Sequence, residues 1–246
     1  MRVLISGKGG VGKSVLASLL AKVASREKEV LILDVDESNP GLYAMLGFKG
    51  SKGLMESFEN RKEAFKKKLF ESKFYIANTD LPLVKKGKIT LVSIGKIQKA
   101  LEGCACPMGA VSRNFLENLM LKENEVLLID AEAGVEHFGR GIVSFVDVVI
   151  AIVEPSFESI LLAEKVNSFA KQVNKKCYVV MNKIKSKEEL EILLNEISKR
   201  NLKSIGAIPY DEKIFFSCLK GERLEKCSAE KEVEKIWKYI KELSLK

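Results

Sequence analysis

Residues 7–14 read Gly-Lys-Gly-Gly-Val-Gly-Lys-Ser and follow the apolar run Val3-Leu4-Ile5 directly. A strand that runs into G-x-x-x-x-G-K-[ST] and then into helically spaced apolar residues, here Leu16, Leu19, Leu20 and Val23, is the setting of a phosphate-binding loop. Triphosphate oxygens crowd against backbone, so glycine is needed where a side chain would obstruct them. The loop N–H groups and the next helix N-terminus supply positive potential. Gly9, Gly10, Val11, Gly12 and Val15 are therefore expected to meet the nucleotide. Lys13 is expected to reach the β- and γ-phosphates, and Ser14 to ligate Mg²⁺.

Two more apolar runs end in carboxylates. Val30–Leu33 leads into Asp34-Val35-Asp36, and Glu125–Asp130 has the form whose terminal Asp130 holds a water of the Mg²⁺ shell. Gly134 follows, where a bare backbone N–H is expected to sense the γ-phosphate. The sole histidine, His137, and Arg140 between two glycines stand just beyond it. A third chemical feature is Cys104-Ala105-Cys106-Pro107, ahead of a helical pattern from Met108 to Leu121. Pro107 suits an opening turn, which places Cys106 at a helix N-terminus that favours thiolate. Thiolates are soft ligands for Zn²⁺, Cu⁺, Ni²⁺ or an iron–sulfur cluster. Two per chain are too few for a closed site, but a symmetric dimer would bring four sulfurs to its axis.

The elements that must position these groups alternate. Strand-like runs at Arg2–Ser6, Glu29–Asp34, Ile89–Ile94, Glu125–Asp130, Asp147–Val153, Lys176–Asn182 and Lys203–Ile208 are separated by helical patterns. Several are apolar at successive residues, as strands covered on both faces are. The expectation is an α/β fold with a doubly wound, mostly parallel sheet, helices on both faces and ligands at the strands' carboxyl ends. Residues 47–87 read as a helical excursion between strands. With no linker or repeat in view, residues 1–246 read as one domain.

Composition excludes several classes. Hydrophobic residues make up 46% of 246 residues, ample for a core, and no apolar stretch approaches the roughly 20 residues that span a bilayer. The chain enters a strand at once, leaving no room for a signal peptide, so a cytoplasmic location is expected. Five cysteines, an odd number, argue against a disulfide framework and for metal-binding or reactive thiols. The net charge of +8 is spread as short lysine runs interleaved with glutamate, which reads as a solvated face and not as a nucleic-acid surface.

Lys8 adds a second lysine to the loop, giving the deviant Walker A pattern K-G-G-x-G-K-[ST]. With it the chain resembles the dimeric ATPases that include nitrogenase iron protein, the MinD and ParA proteins, arsenite-pump ATPases and metal-insertion ATPases. The resemblance implies a homodimer in which Lys8 reaches the partner's nucleotide. It further implies that Asp36 orients the attacking water, that Asp34 lies nearer the Mg²⁺ shell, that Asn182 hydrogen-bonds adenine and that the loop at Pro209 packs against the base. The run Gly103-Cys-x-Cys-Pro107 together with Asp130-Ala-Glu-Ala-Gly-Val-Glu-His137-Phe-Gly-Arg-Gly141 is similar to the CooC-type nickel-insertion ATPases. That likeness implies ATP hydrolysis, Ni²⁺ held by Cys104 and Cys106 between two subunits with Zn²⁺ as the competing metal, and carbon monoxide dehydrogenase or acetyl-CoA synthase as recipient. The rivals are an iron–sulfur cluster carrier using the same thiols and a spatial-organising ATPase that binds membrane. The latter rests on the amphipathic segment Val233–Leu243, but such an apolar stripe more often belongs to a last helix packed on the sheet, so no stable membrane association is expected.

Overall fold

The computed structural model describes residues 1–36, 41–49, 53–54, 72–95, 106–225 and 227–243, without the side chains of Cys106 and Pro107. Eight strands form the main sheet: β1 (Arg2–Gly7), β2 (Glu29–Asp34), β4 (Val84–Lys86), β5 (Ile89–Ser93), β7 (Glu125–Asp130), β8 (Val148–Val153), β9 (Lys176–Ile184) and β10 (Ser204–Pro209). Their spatial order is β10-β9-β8-β1-β7-β2-β5-β4, parallel except for β4, which pairs antiparallel with β5. A separate ribbon joins β3 (Phe74–Tyr75) to β6 (Leu119–Met120).

Among the described residues the helices are α1 (Lys13–Ala24), α2 (Leu42–Leu46), α3 (Cys106–Asn118), α4 (Glu136–Gly139), α5 (Phe157–Gln172), α6 (Lys187–Lys199), α7 (Glu212–Lys220) and α8 (Glu230–Leu243). Successive strand residues feed two apolar layers, because side chains alternate across a sheet. Leu4, Leu33, Ile129 and Val149 pack with Val111 and Phe115 of α3, Ile160 and Val166 of α5 and Leu193 of α6. Val3, Ile5, Ile32 and Ile150 pack with Leu16 and Leu20 of α1 and with Val233, Ile236 and Trp237 of α8. Each layer covers one face of the sheet and the two together remove both faces of a strand from water, so the unbroken apolar runs lie in the middle of the sheet, as the sequence pattern requires.

The doubly wound architecture and all seven expected strands are present. Of residues 47–87, expected as a helical excursion, 50–52 and 55–71 lie outside the described residues; Leu54 is helical, and the rest carries β3, a short 3₁₀ turn at Ile76–Asn78 and the edge strand β4. The hairpin residue Gly87 is what turns β4 back onto β5, a local signal that the lysine-rich composition obscured. The segment after the thiol pair forms its helix but ends at Asn118, because Leu119 and Met120 pair with Phe74 and Tyr75.

Candidate functional site

The loop between β1 and α1 is held from outside by its carbonyl oxygens. Lys13 Nζ lies 3.3 Å from the Lys8 carbonyl, Lys183 Nζ donates to the Gly10 carbonyl at 2.7 Å, and Asn182 Nδ2 donates to the Val11 carbonyl at 2.8 Å. Gly12 caps α1 with φ +104°, and a Cβ there would collide with the Asn182 amide, so a left-handed backbone and a close approach both demand glycine. Behind it the first turn of α1, with Lys13, Ser14 and Val15, offers N–H groups that have no carbonyl partner within the helix. This is an anion site at the carboxyl end of a parallel sheet, between β1 and its neighbours β7 and β8.

The carboxylates expected beside the loop converge on it. Asp34 and Asp130 end β2 and β7 as register partners, each 1% exposed. Asp36 is also buried, and its backbone N–H donates to Asp34 Oδ1 at 3.2 Å. Burial, with Asp34 alongside, pushes the Asp130 carboxyl up to about 7, against the Ser14 hydroxyl and the Lys13 ammonium, which favour its charged form. Burial lowers the Lys13 ammonium from its ordinary value, opposed by Asp130, Asp36 and Glu132. Among the described residues no group of three or more His, Cys, Asp and Glu is arranged as a metal cage. Mg²⁺ takes one or two protein oxygens and completes its shell with phosphate and water. Ser14, Asp130 and Asp34 are hard oxygen donors, and the buried like charges of the two aspartates are what a divalent cation would relieve.

In the segment after Asp130, the Gly134 N–H donates to the Gly7 carbonyl at 3.2 Å, which places it beside the phosphate loop. His137 is fully buried, with neither ring nitrogen hydrogen-bonded among the described residues. Burial first, then the positive charges of Lys13 and Arg140, push its imidazole down to about 3. Arg140 pairs with Glu132 at 3.0 Å. Its stem crosses the first turn of α3 so closely that a Cβ on Gly109 would stand 2.7 Å from Arg140 Cδ. Arg140 thus joins the segment following Asp130 to the helix that Cys106 opens.

Cys104 and the Cys106 side chain lie outside the described residues. Of the remaining thiols, Cys177, Cys218 and Cys227 are free. Burial pushes Cys177 up to about 12, the state of an inert structural thiol. Pro209 ends β10 beside Ile184, whose carbonyl accepts from the Tyr210 N–H at 2.9 Å. Lys8 is partly exposed and faces Glu154 at 3.9 Å and Glu158 at 3.8 Å. Sequence reasoning missed Lys183 and Glu154 as loop contacts, since neither follows a motif. No helix among the described residues is long and apolar enough to cross a membrane, and the apolar stripe of α8 is spent on the sheet.

Comparison with known proteins agrees with this geometry. A family model described as the CobQ/CobB/MinD/ParA nucleotide binding domain matches residues 3–224. An uncharacterised ATP-binding protein of Methanocaldococcus jannaschii is 42% identical over 238 residues, covering 91% of this chain and 94% of its own. The carbon monoxide dehydrogenase accessory protein CooC of Rhodospirillum rubrum is 31% identical over 233 residues, covering 87% and 85%. Among solved structures, the MinD cell division protein of Aquifex aeolicus superposes with a TM-score of 0.69 at 20% identity, covering 98% of this chain and 96% of that one, which bears on the fold alone.

Proposed function

Because the chain belongs to the CobQ/CobB/MinD/ParA nucleotide-binding family, we propose that it hydrolyses ATP as a homodimer of single-domain chains and uses that cycle to deliver a metal ion. The metal is nickel, with zinc as competitor, held by Cys104 and Cys106 of both subunits, and the recipient is carbon monoxide dehydrogenase or acetyl-CoA synthase. Support for the cargo comes from the likeness to the CooC accessory protein over most of the chain. Lys13 holds the β- and γ-phosphates, the N–H groups of Gly9, Gly10, Val11, Gly12 and Val15 surround them, and Asp36 orients the attacking water. Lys8 serves the partner's nucleotide, and Asn182 and Pro209 face the base. Mg²⁺, held by Ser14, Asp130 and Asp34, supplies positive charge against the triphosphate. A cytoplasmic site of action goes with this role.

The observation that carries the coupling is the Arg140 stem on Gly109, because it ties the segment after Asp130 to the helix opened by Cys106. Nickel bound per chain, measured by equilibrium dialysis with and without ATP, tests the proposal. Roughly one Ni²⁺ per two chains is expected, lost in Cys104→Ser/Cys106→Ser. Lys13→Ala is expected to lose hydrolysis and keep metal. Nickel binding that ignores both cysteines would overturn the shared thiolate site, and a brown chromophore after anaerobic reconstitution with iron and sulfide would reassign the cargo.

A further inference from the structure

Asn182 and Lys183 are consecutive residues of β9, yet both side chains reach the same loop, Asn182 on the Val11 carbonyl and Lys183 on the Gly10 carbonyl. In a regular strand successive side chains leave opposite faces, so one of the two should point away. The backbone resolves this. Lys183 has φ +60°, a left-handed conformation rare for a residue with a long side chain, and the β9–β10 register shifts between the pairs Ala207↔Met181 and Pro209↔Ile184. Such irregularities re-aim side chains beside active sites. Here the irregularity turns a lysine onto the phosphate loop.

The lysine is itself held. Its ammonium lies 2.7 Å from Glu154 Oε2, while Glu154 Oε1 faces Lys8 at 3.9 Å. Glu154 is fixed in turn by its own N–H, which donates to Ser159 Oγ at 3.1 Å in the first turn of α5. One carboxylate from the end of β8 therefore bridges two lysines, one within the loop and one anchoring a loop carbonyl. The two contacts fix the planes of successive loop peptides. The Lys183 contact holds the peptide whose Val11 N–H donates to the Lys8 carbonyl at 3.3 Å, and the Asn182 contact holds the peptide of the Gly12 N–H. Together they set the orientation of loop N–H groups on which anion binding depends.

We infer that Lys183 and Glu154 are positioning residues of the phosphate loop: Lys183 fixes the Gly10 carbonyl, and Glu154 fixes Lys183 and draws Lys8 into the same network. Neither touches the nucleotide in this account. The inference rests on nucleotide binding at residues 7–14 and is independent of the thiol pair and its cargo.

Calorimetric titration of the full chain with Mg·ADP and with a non-hydrolysable Mg·ATP analogue, alongside thermal melts, provides the test. Lys183→Met is expected to weaken binding of both nucleotides about tenfold, and Lys183→Arg to restore most of it, since arginine again places an N–H donor within reach of the carbonyl. Glu154→Gln is expected to weaken binding severalfold, with the double variant no worse than Lys183→Met alone, as residues acting through one contact are non-additive. Lys183→Met binding within twofold of the parent, in protein with an unchanged melt, would overturn the inference, and so would independent, multiplying effects of the two substitutions. If Lys183→Met does not fold, Glu154→Gln decides it: binding within twofold of the parent, with an unchanged melt, would overturn the inference. A parent chain that binds no nucleotide would overturn the nucleotide reading together with this one, whereas a binding parent with an indifferent Lys183 sinks the positioning role only.

Discussion

Asp34 and Asp130 stand side by side in register at the ends of two adjacent parallel strands, each buried to 1% exposure. Burial, which leaves the carboxylate unsolvated, and then the repulsion of Asp34 beside it push Asp130 up to about 7. The sheet holds them there, because each is the last residue of its strand and their Cα positions are fixed by the β2–β7 ladder.

That enforced proximity predicts a trade between stability and activity. Asp130→Asn is expected to raise the stability of the nucleotide-free protein by about 1–2 kcal/mol at neutral pH while lowering Mg²⁺-dependent hydrolysis by a hundredfold or more. Urea denaturation at pH 7.5 and phosphate release assays would show the two effects together. A variant less stable than the parent would contradict the repulsion.

The buried His137 predicts acid sensitivity. Its imidazole stays neutral in the fold down to about 3, whereas the unfolded chain protonates it near 6.5. Between those values the unfolded state binds more protons, so the stability contribution is complete above pH 6.5 and is lost as pH falls. At pH 5 the loss amounts to about 2 kcal/mol. Urea midpoints of the parent and His137→Leu, compared at pH 7 and pH 5, check this: the parent falls more steeply.

Gly109 has room for Arg140 and nothing else. Gly109→Val is expected to drive the Arg140 stem off α3, break its pairing with Glu132 and cost about 1–3 kcal/mol through overpacking. Arg140→Ala in the same background should recover part of that loss, since the colliding side chain is then gone. Chemical denaturation of the four-membered cycle measures the coupling, and additivity would show that the contact carries no strain.

Lys8 is held in its own chain by two long, partly exposed ion pairs, which are worth little. Lys8→Ala is therefore expected to melt within about 1 kcal/mol of the parent, a typical surface effect. Under the proposed dimer mechanism it should keep ADP affinity and fail to dimerise with ATP. Light scattering with and without nucleotide would decide it, and ATP-driven dimerisation that survives the substitution would rule out a role in trans.

The main strands were legible because a doubly covered strand must be apolar at every position, and the loop was legible because its glycines and lysine are close in sequence. Asp34 and Asp130 could be placed because residues that end parallel strands share one edge of the sheet. Other features had no such signature. Edge strand β4 is lysine-rich, since an exposed edge need not be apolar. The Gly134 N–H donates to the Gly7 carbonyl, a contact across 127 residues of chain that the β1–β7 pairing creates and no local motif announces. Lys183 eluded the pattern because strand alternation assigns it to the face opposite Asn182, and nothing local announces the left-handed turn that reverses it. Glu154 looks like any residue ahead of a proline until Lys8 and Lys183 arrive from either side. Cys104, the residue on which the nickel proposal leans most, lies outside the described residues.

Trp237, the one indole in the chain, is 3% exposed on α8 and donates from Nε1 to Glu27 Oε1 at 2.6 Å. Glu27 lies just past the end of α1, the helix whose other end is the phosphate loop. The protein therefore carries an intrinsic optical probe at the far end of a rigid rod that starts at the nucleotide. Its emission should be blue-shifted in the folded state and red-shifted on unfolding. A change in that emission on adding nucleotide to folded protein would report that the surroundings of the indole at the α1–α8 contact respond to the site, without a label and without touching it.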